Sequence, residues 1–82
     1  MANFWDTEQE HARVPKKGTK ASYYSFKVVS KDGRDYVDVR EHYTKADGTE
    51  QHTSKGISIK FQDFAEVMTA FRDMHEVLRD KL

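Results

Sequence analysis

The stretch YYSFKVVSKDGRDYVDVREHY, residues 23–43, leaves few choices for the fold of this chain. Asp32-Gly33 is a favoured pair for a two-residue hairpin loop, because both central positions need positive φ. A loop there sets Lys31 against Arg34, Val29 against Tyr36, Val28 against Val37 and Phe26 against Val39. Pleat alternation then gathers Phe26, Val28, Val37 and Val39 on one apolar face, and Ser25, Lys27, Val29, Tyr36, Asp38 and Arg40 on the other. The two strands agree independently on which face is apolar, and that agreement supports the register.

A second turn follows at KADGT, with Gly48 placed for a left-handed position in a three-residue loop. Centring the loop on Asp47 opposes His42 to His52 and Val37 to Ile57, so that Ile57 and Ile59 extend the apolar face. Strict alternation sends Lys55 to that same face, which a charge tolerates only if its stem reaches the sheet edge or Gly56 marks a bulge. From Phe61 the period changes. Phe64, Val67, Met68, Phe71, Met74 and Leu78 recur at three- and four-residue steps among charged residues, the pattern of an amphipathic helix of about five turns. Residues 1–21 lack sustained periodicity and read as an N-terminal arm or irregular lead-in with room for a short first strand. Phe4 and Trp5 are out of place in such an arm. They are read as packing onto the domain, with an aromatic contact for a partner as the alternative. The expectation is an α+β fold: a curved antiparallel meander, then one C-terminal helix on its apolar face.

At 82 residues this is one domain near the lower limit for independent folding, and without cysteine no disulfide reinforces it. Self-association is the remaining source of stability. No apolar run is long enough to span a bilayer and no signal-peptide core stands at the N-terminus, so the chain reads as soluble and intracellular with no membrane partner. The formal net charge is zero, which argues against a histone-like binder, but the charge is segregated. Residues 1–12 carry Asp6, Glu8 and Glu10 and no Lys or Arg; residues 13–60 carry eleven Lys/Arg against six Asp/Glu; residues 61–82 carry three against five.

No constellation supports an enzyme: there is no phosphate-binding glycine loop, no nucleophile elbow and no acidic pair in an apolar setting. His42 and His52 meet across a hairpin but make an incomplete metal site, and neither metal nor cofactor is expected. Single-stranded nucleic acid fits better, being held by cations along the phosphates and by rings that stack on bases. The polar face and its loops offer Lys27, Lys31, Arg34, Arg40, Lys45 and Lys55 with Tyr36 and Tyr43 among them, diluted by Asp35, Asp38 and Glu41.

VDVREHY, followed twelve residues later by KGISI and then by an amphipathic helix with an aromatic at Phe64, resembles the transcriptional coactivator positive cofactor four family over residues 22–82. The resemblance implies a curved four-stranded antiparallel sheet with one helix, a homodimer, and a sheet surface that binds single-stranded DNA and melted duplex with little sequence preference. By position, the family's strand Arg falls on Arg40, its stacking Trp on Tyr43, its Lys before Gly-Ile-Ser on Lys55, and a Lys after the first hairpin Gly on Arg34. A second stacking aromatic near the hairpin tip falls on Lys31, and two further basic positions fall on Gln51 and Ser54. The Ser/Lys-rich regulatory tail of eukaryotic members is absent, as in a bacterial or viral relative acting in the cytoplasm or nucleoid, or in a host cell. Arg40, Tyr43 and Lys55 are thus read as phosphate clamp, base platform and second clamp, supported by Arg34, Lys31, Lys27 and Lys45. The expected function is non-catalytic single-stranded DNA binding by a dimer in transcription, replication or recombination, with RNA as a further ligand. The alternative is a protein-interaction module on the same fold that contacts a polymerase or another transcription or replication protein.

Overall fold

The computed structural model describes residues 4–19 and 21–81. Four strands, β1 (Thr7–Pro15), β2 (Ser22–Lys31), β3 (Arg34–Thr44) and β4 (Glu50–Lys60), form one antiparallel sheet in the order β1-β2-β3-β4. A 3-10 turn (Phe61–Asp63) leads into the helix α1 (Phe64–Arg79). The β2–β3 register is the expected one throughout, from Lys31↔Arg34 to Ser22↔Tyr43. Its loop has the positive φ at both central residues that an Asp-Gly turn supplies, 53° at Asp32 and 75° at Gly33.

The lead-in holds the first strand that its sequence left room for, and that strand is longer than a short one. This nine-residue strand, β1, is exposed along its whole length and broken by a bulge at His11. Its sequence, TEQEHARVP, has no apolar alternation because an edge strand need bury neither face. Backbone pairing with β2 holds it, and Pro15, which cannot donate to a ladder, is tolerated at its end. Residues 1–3 and 20 of the lead-in lie outside the described residues.

The β3–β4 register departs at one point. His42 faces His52 as expected, but Val37 faces Ile59 rather than Ile57. Between Arg40↔Gly56 and His42↔His52, the single residue Glu41 faces Thr53, Ser54 and Lys55, so β4 carries two extra residues. An even insertion preserves pleat parity, which is why Ile57 and Ile59 keep to the apolar face even though their partners change. Thr53 secures the bulge: its hydroxyl donates to Glu41 O at 2.9 Å and accepts from the Lys55 amide at 3.1 Å. Beside it β4 lies so close to β3 that a Cβ on Gly56 would come within 2.6 Å of Val39 O and 2.8 Å of Arg40 Cα.

The sheet curls toward its polar face. Arg13 on β1 and Glu50 on β4, the two edges, meet across that face in a bidentate pair with bonds of 2.6 and 3.1 Å. Flat edges would stand about 14 Å apart at ordinary strand spacing. Burial follows the curl. On this concave face Ser25, Val29, Asp38, His42 and Tyr23 are all buried, whereas Val28 and Ile57 on the apolar face are 43% and 54% exposed, and only Ile59 there is buried. The apolar stripe of helix α1 is less buried than its sequence pattern suggests. Phe64, Val67 and Met68 are half-buried, but Phe71, Met74, Val77 and Leu78 are exposed.

The buried His42 ring stacks on Tyr23 at 5.4 Å with its plane 16° off parallel, and its environment disfavours charge. Burial first, then the cations Lys27, His52 and Arg13, lower its pKa below the usual 6.5, with Glu10 opposing. As pH falls through about 6.5 the unfolded chain therefore takes up this proton first, and stability declines until the folded-state pKa is passed.

Two outcomes follow from this packing. Gly56→Ala must push backbone apart and is expected to cost about 1–3 kcal/mol, read as a fall in Tm of roughly 5 °C or more in a thermal melt. The Tm of the wild-type protein is expected to fall between about pH 7.5 and about pH 5.5, and to fall less in His42→Phe, which keeps the stack on Tyr23 and removes the titrating group.

Candidate nucleic-acid interface

The concave face is an open groove of about 730 Å³ whose lining includes Phe4, Trp5, Lys27, Asp38, Arg40 and His52. Strand alternation puts Lys27 (β2) and Arg40 (β3) on its floor. Arg40 is held rigidly. Its guanidinium donates to both carboxylate oxygens of Asp38 at 3.3 and 3.0 Å and to Thr53 O at 3.2 Å, while Ser58 Oγ donates to Asp38 at 2.7 Å. Asp38 is buried, so this pair does two things at once: it neutralises a carboxylate that could not stand alone, and it fixes the plane of the guanidinium.

Other groove cations also have acidic partners inside the chain. Lys27 reaches Glu8 at 3.3 Å. Arg13 bonds Glu10 at 2.6 Å as well as Glu50, and lies 4.6 Å over the Tyr23 ring. Hydrogen bonds from Ser25 and then Arg13 lower the pKa of Glu10, and the Arg13 bond does the same for Glu50. Tyr23, between them, is pushed up chiefly by burial. This polar set cross-links β1, β2 and β4 over the end of the groove near Tyr23.

The remaining site residues fall in three places. Lys31 and Arg34 flank the β2–β3 turn as a cross-strand pair on the concave side, with Lys31 Nζ 5.0 Å from the Phe4 ring centroid. Lys55 stands exposed in the β4 bulge, beside the groove-lining Ser54, which resolves its conflict with strict alternation. Lys45 lies in the β3–β4 loop, where its amide donates to Thr49 O at 2.8 Å and Gly48 has φ 88°. Among the described residues, Lys31, Arg34, Lys45 and Lys55 form none of the ion pairs. Tyr43 is not brought to the groove. It is three residues beyond Arg40 in a strand regularly paired to β2, so alternation turns it to the other face, between Ser22 and Gln51, with 36% of it exposed.

The groove instead receives rings from the lead-in. Trp5 is half-buried against Tyr36, with ring centroids 5.4 Å apart, and Phe4 stands edge-on to Trp5 at 4.8 Å. The expectation that both rings pack onto the domain describes Trp5; Phe4 is 68% exposed. Two aromatics in an otherwise polar arm were the available signal, but nothing in their spacing told which face they would reach. His42 and His52 are 6.2 Å apart between ring centroids, and among the described residues no three His, Cys, Asp or Glu side chains converge as a metal site would need. No helix among the described residues is long and apolar enough to cross a membrane.

Comparison with known proteins agrees with this architecture. The family model described as Transcriptional Coactivator p15 (PC4) matches residues 21–70, from the start of β2 into α1, and so includes Arg40, the β4 bulge and Gly56. The chain is similar to the crystal structure of a PC4 homologue from Burkholderia pseudomallei, with a TM-score of 0.67 and 28% identity, over 82% of this chain and 88% of that one. No curated protein matches it. With the family model matched over more than half of the chain and the same meander-plus-helix fold, the chain belongs to the PC4 family of DNA-binding transcriptional coactivators.

Proposed function

We propose that this protein is a non-catalytic single-stranded DNA-binding protein that works as a homodimer, with the concave groove as its DNA-binding surface. The observation that carries the reading is the rigid Arg40 at the floor of an open groove, with Lys31 and Arg34 on the same sheet face at the β2–β3 turn and Lys55 in the adjacent bulge, all three outside the ion pairs among the described residues. Cations spaced along a groove suit a phosphate backbone, and a curved sheet of this width admits one strand whose bases turn inward. Lys27 joins them once a phosphate displaces Glu8, and Lys45 extends the track past the far loop. Tyr43 serves as a platform only for a strand that passes round the rim of the sheet at the end of β3. Transcription is the process the family points to; melted duplex and RNA are further ligands of the same chemistry.

The second half of α1 supports the homodimer. Phe71, Met74, Val77 and Leu78 form an exposed apolar stripe, continuous in period with the half-buried Phe64, Val67 and Met68. A 9.6 kDa chain that leaves such a stripe and half of its apolar sheet face in water gains stability by burying them against a second copy.

Arg34→Ala and Lys55→Ala are each expected to weaken binding equally across oligonucleotide sequences, and to reduce the slope of log K against log salt by about 0.7, one phosphate's worth for a single strand. Because Arg40 also neutralises buried Asp38, its contribution is best read from the double variant Asp38→Asn, Arg40→Gln, expected to lose affinity while still folding. Unchanged affinity and slope in all three would contradict the groove. For assembly, sedimentation equilibrium is expected to give twice the chain mass for the wild type and the monomer mass for Met74→Glu; a wild-type monomer at micromolar concentration would refute the dimer.

A further inference from the structure

The geometry points to Phe4 and Trp5, delivered by the segment before β1, as the base-stacking platform of the groove for single-stranded nucleic acid; this rests on the groove reading above. Three contacts show that the segment is docked. The Asp6 amide donates to Ser30 O at 2.8 Å, Thr7 and Ser30 share a hydroxyl hydrogen bond of 2.6 Å, and the Asp32 amide donates to Asp6 Oδ2 at 2.8 Å. Asp6 thereby ties the segment to the β2–β3 turn, and the two rings lie over the concave face rather than off the end of the sheet.

Their arrangement leaves a π-surface open. Trp5 leans on Tyr36 at 45°, which props it from one side, and Phe4 meets it edge-on at 81°. Phe4 touches Trp5 and Lys31 yet keeps 68% of its surface in water. Both rings line the same groove as Lys27 and Arg40, so a strand lying along those cations passes directly under them. Lys31 Nζ over the Phe4 ring places a cation where the phosphate next to a stacked base would run. The one ring expected on the sheet to stack, Tyr43, faces the other way; the rings that line the groove with Arg40 are Phe4, Trp5, His42 and His52, and of these His42 is buried in its stack on Tyr23. Every base presents a face, so such a platform holds single strands without regard to sequence, while a duplex keeps its bases stacked internally and gains nothing from it.

Trp5 is the only tryptophan in the chain, which makes its emission a direct probe. Oligothymidylate is titrated into the wild type, Phe4→Ala and Trp5→Ala, following tryptophan emission where it exists and the anisotropy of a labelled oligomer in all three, together with Tm and salt slope. Expected are a change in Trp5 emission that saturates with the anisotropy, and about a tenfold or greater loss of affinity in each variant, with the salt slope unchanged. Should Trp5→Ala fail to fold, the exposed Phe4 decides, since its removal leaves the Tm where it was. Binding of equal strength in wild type and Phe4→Ala, or rising anisotropy with unmoved Trp5 emission, overturns the platform and leaves the groove standing. Absence of any binding by the wild type overturns the groove and the platform together.

Discussion

The close approach of β4 to β3 at Gly56 is the contact on which the rest of this molecule depends. Without a Cβ there, the backbone of β4 can press to within van der Waals distance of Val39 and Arg40. The two extra residues of the bulge are accommodated beside it, and Thr53 closes the bulge through the Glu41 carbonyl. Arg40 occupies the resulting corner. It donates to Thr53 O from one side and to Asp38 from the other, so one side chain ties the bulge to the strand that carries it. A bulge sharpens local twist, and the twist is in keeping with the curl that lets Arg13 on β1 reach Glu50 on β4.

That curl reverses the usual division of a two-faced sheet. Most apolar residues lie on the convex side, where Val28 and Ile57 stay exposed, while Ser25, Asp38 and His42 crowd into the concavity with Val29 and Tyr23 and become the more deeply buried set. The burial of Ser25 and Asp38 is tolerable because both are satisfied: Ser25 by Glu10, and Asp38 by Arg40 and Ser58. No buried side-chain polar atom among the described residues lacks a partner. The polar network thus acts as the monomer's core. The apolar convex face and the second half of the helix stripe stay largely exposed. The same satisfied network also tempers the groove. Glu8, Glu10 and Glu50 from the edge strands neutralise Lys27 and Arg13, so a nucleic-acid backbone has to compete with carboxylates already in place.

Much of this was legible from local chemistry. Asp32-Gly33 specified a turn type, the turn specified the β2–β3 register, and the register placed Lys27, Lys31, Arg34 and Arg40 on one face. Three- and four-residue spacing identified the helix, starting at Phe64 after a short 3-10 turn. Discomfort over Lys55 correctly flagged an irregularity near Gly56. What it could not reveal was the length of the insertion, because a shift of two leaves every apolar residue on its face and so leaves the pattern unchanged. β1 was hidden for a different reason: an edge strand exposed on both sides needs no alternation, and its hold on the sheet is through backbone hydrogen bonds that any sequence can make.

Sequence by itself thus determined those properties set by neighbours along the chain: turns, helix period, strand parity and membership of a family with a specific strand and Lys-Gly-Ile-Ser signature. Tertiary structure alone decided three others. It chose which face became concave and buried, since curvature depends on how four strands twist together rather than on any one of them. It paired Arg13 with Glu50 across 37 positions of sequence. And it carried Phe4 and Trp5 to the groove while turning Tyr43 away from it, because a ring's usefulness depends on the face it reaches, which for an arm is set by where Asp6 docks and for a strand by parity counted from Arg40.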